Sequence, residues 1–181
     1  MLLKQQNKTD EWFVMRDLKR GNAKEPAYKL LQDLKFEVFT PMRWHIATRK
    51  GNRVREKIPV ISDLLFVHSC RTDLDPIVEK TATLQYRFLR NTWREPMTVR
   101  STDMERFIHA VSSSESVKYY LPGELSPEMY NKKIRIIGGN LDGYEGFLLT
   151  VRGSKTKRLL VELSGLLAAG VDVAHEHLTF I

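Results

Sequence analysis

The stretch from Asn131 to Val151 constrains this chain more than any other. Two apolar runs, Ile134 to Ile137 and Phe147 to Val151, flank a segment holding Gly138, Gly139, Gly143 and Gly146. Glycine reaches φ > 0 without a Cβ clash, so each of the four is a place where the backbone can reverse. The pattern reads as strand, tight turn, strand. Further strands are expected at Arg158 to Leu163, Val171 to Val173 and Leu178 to Ile181.

A chain of 181 residues suffices for one medium domain or two small ones. No apolar run approaches the roughly 18 residues that a bilayer demands. Met1-Leu2-Leu3 followed by a polar run lacks a signal-peptide core, so a cytoplasmic location is expected. The single Cys70 excludes an internal disulfide framework and a cysteine zinc site. His175 with His177, and His68 with Cys70, offer two ligands each where zinc takes four. Capping explains Asp73 and Asp75 at a helix start. With no arranged nucleophile, carboxylate pair or cofactor motif, the sequence predicts no enzyme, no cofactor and no metal.

In order along the chain, Trp12-Phe13-Val14-Met15 suits a buried strand, and Lys19-Arg20-Gly21-Asn22 a polar turn. Ala27, Leu30, Leu31 and Leu34 fall at helical spacing behind Pro26. Phe36, Val38 and Thr40 alternate as a strand, and Arg43 to Lys57 reads as a hairpin turning at Lys50-Gly51-Asn52. That hairpin carries six basic residues and one acid, Glu56. The continuous run from Val60-Ile61 through Leu64 to Val67 predicts a strand buried on both faces. A helix over Asp73 to Thr83, strands at Tyr86 to Leu89 and Met97 to Val99, and a helix capped at Thr102-Asp103-Met104-Glu105 complete an α+β module with a mainly antiparallel sheet. Residues 114–128, rich in Ser, Pro and Gly, read as a linker. The expected domains are therefore 9–113, this linker, and a small β-barrel over 129–181.

The net charge of +7 favours an acidic partner such as nucleic acid. Residues 1–113 hold 21 Lys/Arg against 14 Asp/Glu, and residues 131–181 hold 7 against 5. The basic excess belongs to the N-terminal part, which predicts a division of labour between the two pieces.

The glycine-turn spacing resembles the KOW motif, with Asn140-Leu141 where Pro-Phe is usual. Trp12-Phe13-Val14, the basic-Gly turn and its helix, Thr40-Pro41, the basic hairpin, the Leu65-Phe66-Val67 strand and the C-terminal KOW pattern together resemble the NusG family of transcription factors. Within it the short Lys19-Arg20-Gly21 turn and Pro41-Met42 look most like the specialised paralogues, RfaH and the UpxY antiterminators of Bacteroides capsule operons.

The resemblance implies an NGN-type α/β sandwich linked to a five-stranded, SH3-like KOW barrel. It implies a monomeric elongation and antitermination factor that binds the clamp helices of RNA polymerase, in specific long operons such as those for polysaccharide biosynthesis. Arg16, Ile61, Leu64 and Phe88 would face the polymerase, although Ile61-Ser62-Asp63-Leu64 lacks the family's aromatic there. Lys19, Arg20 and Lys29, with Arg87 and Arg90 as neighbours, would touch the exposed non-template DNA strand. Leu166 and Leu167 lie in the loop through which a KOW domain meets Rho or a small-subunit ribosomal protein. RfaH refolds its C-terminal domain into a helical hairpin. Here the four glycines would each cost about 0.8–1.0 kcal/mol in a helix, so a constitutive barrel is expected. A ribosome-associated RNA-binding KOW protein is the alternative reading.

Overall fold

The structure, a computed structural model, describes residues 9–19, 25–149, 156–163, 165–173 and 177–181. Arg20, Gly21, Asn22, Thr150, Val151, Ser164 and His175, all singled out by the sequence, lie outside the described residues. The chain forms two compact units, Met1–Ser101 and Thr102–Ile181. Among the described residues, no helix is long and apolar enough to cross a membrane.

The first unit is built on strand β1 (Glu11–Asp17). β5 (Leu64–Ser69) pairs antiparallel along one edge, from Glu11↔Ser69 to Arg16↔Leu64, and β2 (Glu37–Phe39) pairs on the far side of β5. The other edge of β1 is shared. β6 (Leu84–Tyr86) takes Met15 to Asp17, and β7 (Thr98–Val99) takes Trp12 and Phe13. The uninterrupted apolar runs of β1 and β5 explain their central place, because both faces are buried. Phe13, Met15, Leu65 and Val67 pack against Leu31 of α1 (Ala27–Asp33) and Leu74 of α2 (Arg71–Lys80). On the opposite face the His68 ring stacks on Trp12 at 5.0 Å, and His68 meets the Glu37 carboxylate at 2.9 Å. Inside the first core Tyr86 donates to Asp75 at 2.8 Å; burial and then this carboxylate push its hydroxyl pKa well above the ordinary 10.0.

Helix α1 is capped from a distance. Its own preceding residue, Pro26, supplies no side-chain cap. Instead the buried Asp17 carboxylate, at the end of β1, accepts from the Ala27 N–H at 2.6 Å and from the Lys19 N–H at 3.0 Å. At the other end Lys35 adopts φ 68, and the Phe36 N–H returns to the Leu31 carbonyl at 3.0 Å. β3 (Met42–Arg49) and β4 (Asn52–Pro59) form a two-stranded hairpin of their own. Val60 and Ile61, read as the start of a buried strand, lie in the turn before β5.

The second unit, from Thr102, takes in all but the first residue of α3 (Ser101–Ser112), which buries Met104, Phe107, Ala110 and Val111. Beyond it lies an antiparallel sheet of β8 (Val117–Tyr120), β9 (Tyr130–Ile136), β10 (Glu145–Leu149), β11 (Arg158–Leu163), β12 (Leu167–Asp172) and β13 (Leu178–Phe180). Their spatial order is β13-β9-β10-β11-β12-β8. The expected β-rich C-terminal unit is present, but as an open six-stranded sheet and not a closed five-stranded barrel. The additional strand, β8, comes from the segment read as a linker. Val117-Lys118-Tyr119-Tyr120 is rich in strand-forming side chains, and Tyr120 is buried against Leu149, Leu160 and Ala168.

The glycine turn between β9 and β10 forms as expected, with Gly138, Gly139 and Gly143 at positive φ. The Gly138 N–H donates to the Asp142 carboxylate at 2.6 Å. Gly146 serves a different purpose. It lies within β10, where an added Cβ would fall 2.5 Å from the Leu160 carbonyl oxygen of the adjacent strand.

Gly146→Ala should therefore destabilise the protein by about 1–3 kcal/mol, the usual cost of overpacking. Chemical denaturation reads this directly. An alkaline titration gives a second check. Burial pushes the Tyr119 hydroxyl up to about 12 from an ordinary 10.0. The folded state thus favours the neutral ring, so this contribution is complete below pH 10.0 and is lost as pH rises through about 12. Denaturation midpoints should fall across that window, and Tyr119→Phe should flatten the fall.

Candidate nucleic-acid interface

An open cleft of about 580 Å³ runs through the first unit between the β3–β4 hairpin and the junction of β1 with α1. Lys19 and Lys29, chosen from the sequence as DNA-facing residues, both line it. The hairpin contributes His45, Arg49, Glu56 and Lys57. The two carboxylates in the lining are already engaged. Asp17 accepts backbone N–H groups, and Glu56 pairs with Arg49 at 2.7 Å. Four cations facing two committed acids leave a positive cleft, which suits phosphate. Lys19 reaches the Glu25 carbonyl through Nζ at 2.7 Å, whereas Lys29 stands exposed on α1 with no ion partner among the described residues.

Arg87 and Arg90 lie elsewhere. Neither lines this cleft; both belong to the hairpin that joins β6 to β7. The backbone of Arg87 is tied on both sides, its N–H to the Val14 carbonyl at 2.8 Å and its carbonyl to the Met97 N–H at 2.7 Å.

The residues expected to face a protein partner divide. Arg16 is exposed, with its guanidinium held by Asp63 at 3.1 Å. Phe88 is exposed, and Ile61 is half-buried in the turn before β5. Leu64 does not fit the expectation. It is 2% exposed, because β5 begins there and is covered on both faces, so its side chain belongs to the core. In the second unit Leu167 is also misplaced by the sequence reading. It is the first residue of β12 and 3% exposed, leaving Leu166 half-exposed beside it.

Two exposed tryptophans were missed. Trp44 on β3 carries the Arg55 guanidinium 4.1 Å and the Lys57 ammonium 5.1 Å from its ring centre. Trp93, in the β6–β7 hairpin, is 90% exposed. The available signal was an aromatic flanked by basic residues inside a turn-forming stretch, Arg90-Asn91-Thr92-Trp93-Arg94.

The fold is thus an α/β unit with an antiparallel sheet and a basic cleft, followed by an antiparallel β-unit. The family model described as "Transcription termination factor nusG" matches residues 10–108. The chain belongs to the NusG family. Members of that family are transcription factors and not enzymes. Among solved structures, that of NusG from Thermotoga maritima, described as "Domain interaction in Thermotoga maritima NusG", aligns over 96% of this chain and 98% of its own, with 11% identity and a TM-score of 0.46. No curated protein sequence matches the chain.

Lys29→Glu should weaken binding to single-stranded DNA more than Lys19→Glu, since only Lys29 has its charge uncommitted. Each lost phosphate contact should lower the slope of log affinity against log salt by about 0.7. Filter binding at several salt concentrations tests both.

Proposed function

We propose that this protein is a transcription elongation and antitermination factor. Its N-terminal unit docks on the clamp helices of RNA polymerase through Arg16, Ile61 and Phe88, and its basic surfaces contact the exposed non-template strand. We assign it to specific long operons of the kind that encode polysaccharide biosynthesis. The observation that carries this reading is the coincidence of the family match with the basic unit, in which Lys19 and Lys29 line one cleft. The second unit takes a separate partner, either Rho or a small-subunit ribosomal protein, near Leu166. Its weaker charge supports that separation, because a unit that held RNA by phosphates would carry the larger basic excess.

The test is retention of the full-length protein by purified RNA polymerase. Ile61→Glu and Phe88→Ala should each weaken retention by about 5- to 30-fold, as for an interface residue whose substitution costs about 1–2 kcal/mol. Leu64→Glu is unsuitable, because it would place a charge in the core. Equal retention of parent and both variants would contradict the assigned surface.

A further inference from the structure

The hairpin between β6 and β7 is an unusual extrusion. Its two ends attach to the same residue of β1. The Arg87 N–H donates to the Val14 carbonyl at 2.8 Å, and the Val14 N–H donates to the Met97 carbonyl at 2.9 Å. Val14 is completely buried, so the root of the hairpin is fixed in the core. The stem is closed by the Leu89 N–H on the Glu95 carbonyl at 2.9 Å and by the Phe88↔Pro96 bridge. At the tip, the Thr92 hydroxyl donates to the Leu89 carbonyl at 3.0 Å.

What this rigid stem presents is Trp93, with nine-tenths of its surface in solvent. The Arg94 guanidinium lies 5.7 Å from its ring centre. Arg87 and Arg90 have no ion pair or side-chain hydrogen bond among the described residues. Glu95 is the one acid from 87 to 97, against three arginines. Arg94 and Asn91 hold φ 49 and φ 62 without being glycine. For arginine the left-handed region is strained, and such strain persists where a side chain is needed at that point.

We propose that this tip is a stacking platform for single-stranded nucleic acid, with a base lying on Trp93 and the flanking phosphates met by Arg90 and Arg94. Three features select this occupant. A docking site for an apolar protein surface requires contiguous apolar area, whereas Trp93 at the tip stands among polar Asn91 and Thr92 and cationic Arg90 and Arg94, and the exposed Phe88 and Leu89 lie below it on the stem. A base inside a duplex has no open face to offer, whereas every unpaired base does. The charge is complementary to a phosphate backbone. The inference deepens the function proposed above, by naming the state of the strand and adding a residue, and it rests on that reading only for its biological setting.

The experiment uses the full-length protein and labelled oligo(dT), oligo(U) and a duplex of equal length, read by fluorescence anisotropy. The parent should bind the single strands more tightly than the duplex, and the preference between oligo(dT) and oligo(U) identifies the natural strand. Trp93→Ala should weaken binding by about 5- to 150-fold, the worth of one stacked base, while Trp93→Phe keeps most of it. Arg94→Gly should weaken binding while melting at the same or a higher temperature, because glycine relieves the positive φ. That variant separates a binding role from a folding role. The proposal is overturned if Trp93→Ala binds single strands within about twofold of the parent, or if the parent prefers duplex. Retention by RNA polymerase is measured in parallel. If Trp93→Ala loses polymerase but keeps the oligonucleotide, the tip is a protein contact and the inference fails while the proposed function stands. If it loses the oligonucleotide and keeps polymerase, the inference is upheld on its own.

Discussion

The first unit depends on the backbone and terminal carboxylate of β1. A central strand must satisfy hydrogen-bonding groups on two edges, and an unpaired buried backbone group costs about 1–3 kcal/mol. β5 supplies one edge along six residue pairs. The other edge is met in pieces, by β6 near Met15, by β7 near Trp12, and at Val14 by the two ends of one hairpin. This patchwork is what allows a loop to leave and re-enter the sheet without opening it. At the end of the same strand the Asp17 carboxylate anchors the first N–H of α1. One strand therefore positions the helix that carries Lys29 and the hairpin that carries Trp93.

Electrostatics separates the two units. In the second, Arg135 holds Glu145, keeping its carboxyl below the usual range first by hydrogen bonding and then by charge, and Arg158 pairs with Asp172 at 2.7 Å. These exposed or partly exposed pairs add little stability, but they cancel charge locally. In the first unit Lys29, Arg53, Arg87 and Arg90 have no ion partner among the described residues. The excess of cations counted along the sequence thus becomes, in three dimensions, an excess of uncommitted cations on one unit, which a mobile polyanion can use.

Much of this was legible in the sequence because it rests on local rules. Continuous apolar runs placed β1 and β5 at the centre, and the glycine-rich turn placed β9 and β10. The failures share a cause, which is that exposure and long-range pairing leave no local trace. Leu64 and Ile61 are both aliphatic and three residues apart, yet one starts a covered strand and the other sits in the preceding turn. β8 was hidden because its short run, with only Val117, Tyr119 and Tyr120 as strand formers, is enclosed by Ser, Pro and Gly, and its partner, β12, lies about fifty residues away. Gly146 was grouped with turn glycines, though it serves a close backbone approach that only the β10–β11 pairing creates. Trp93 looked like any surface-loop residue until the hairpin's attachment to Val14 gave it a fixed mount.

The central claim is that this basic, β1-centred unit acts on a transcribing polymerase. Single-round transcription in vitro, on a template carrying a pause site and a terminator, tests it most directly. Adding the full-length protein should shorten the pause and raise the fraction of transcripts that pass the terminator. Unchanged pausing and unchanged readthrough, at protein concentrations that saturate the polymerase, would contradict it.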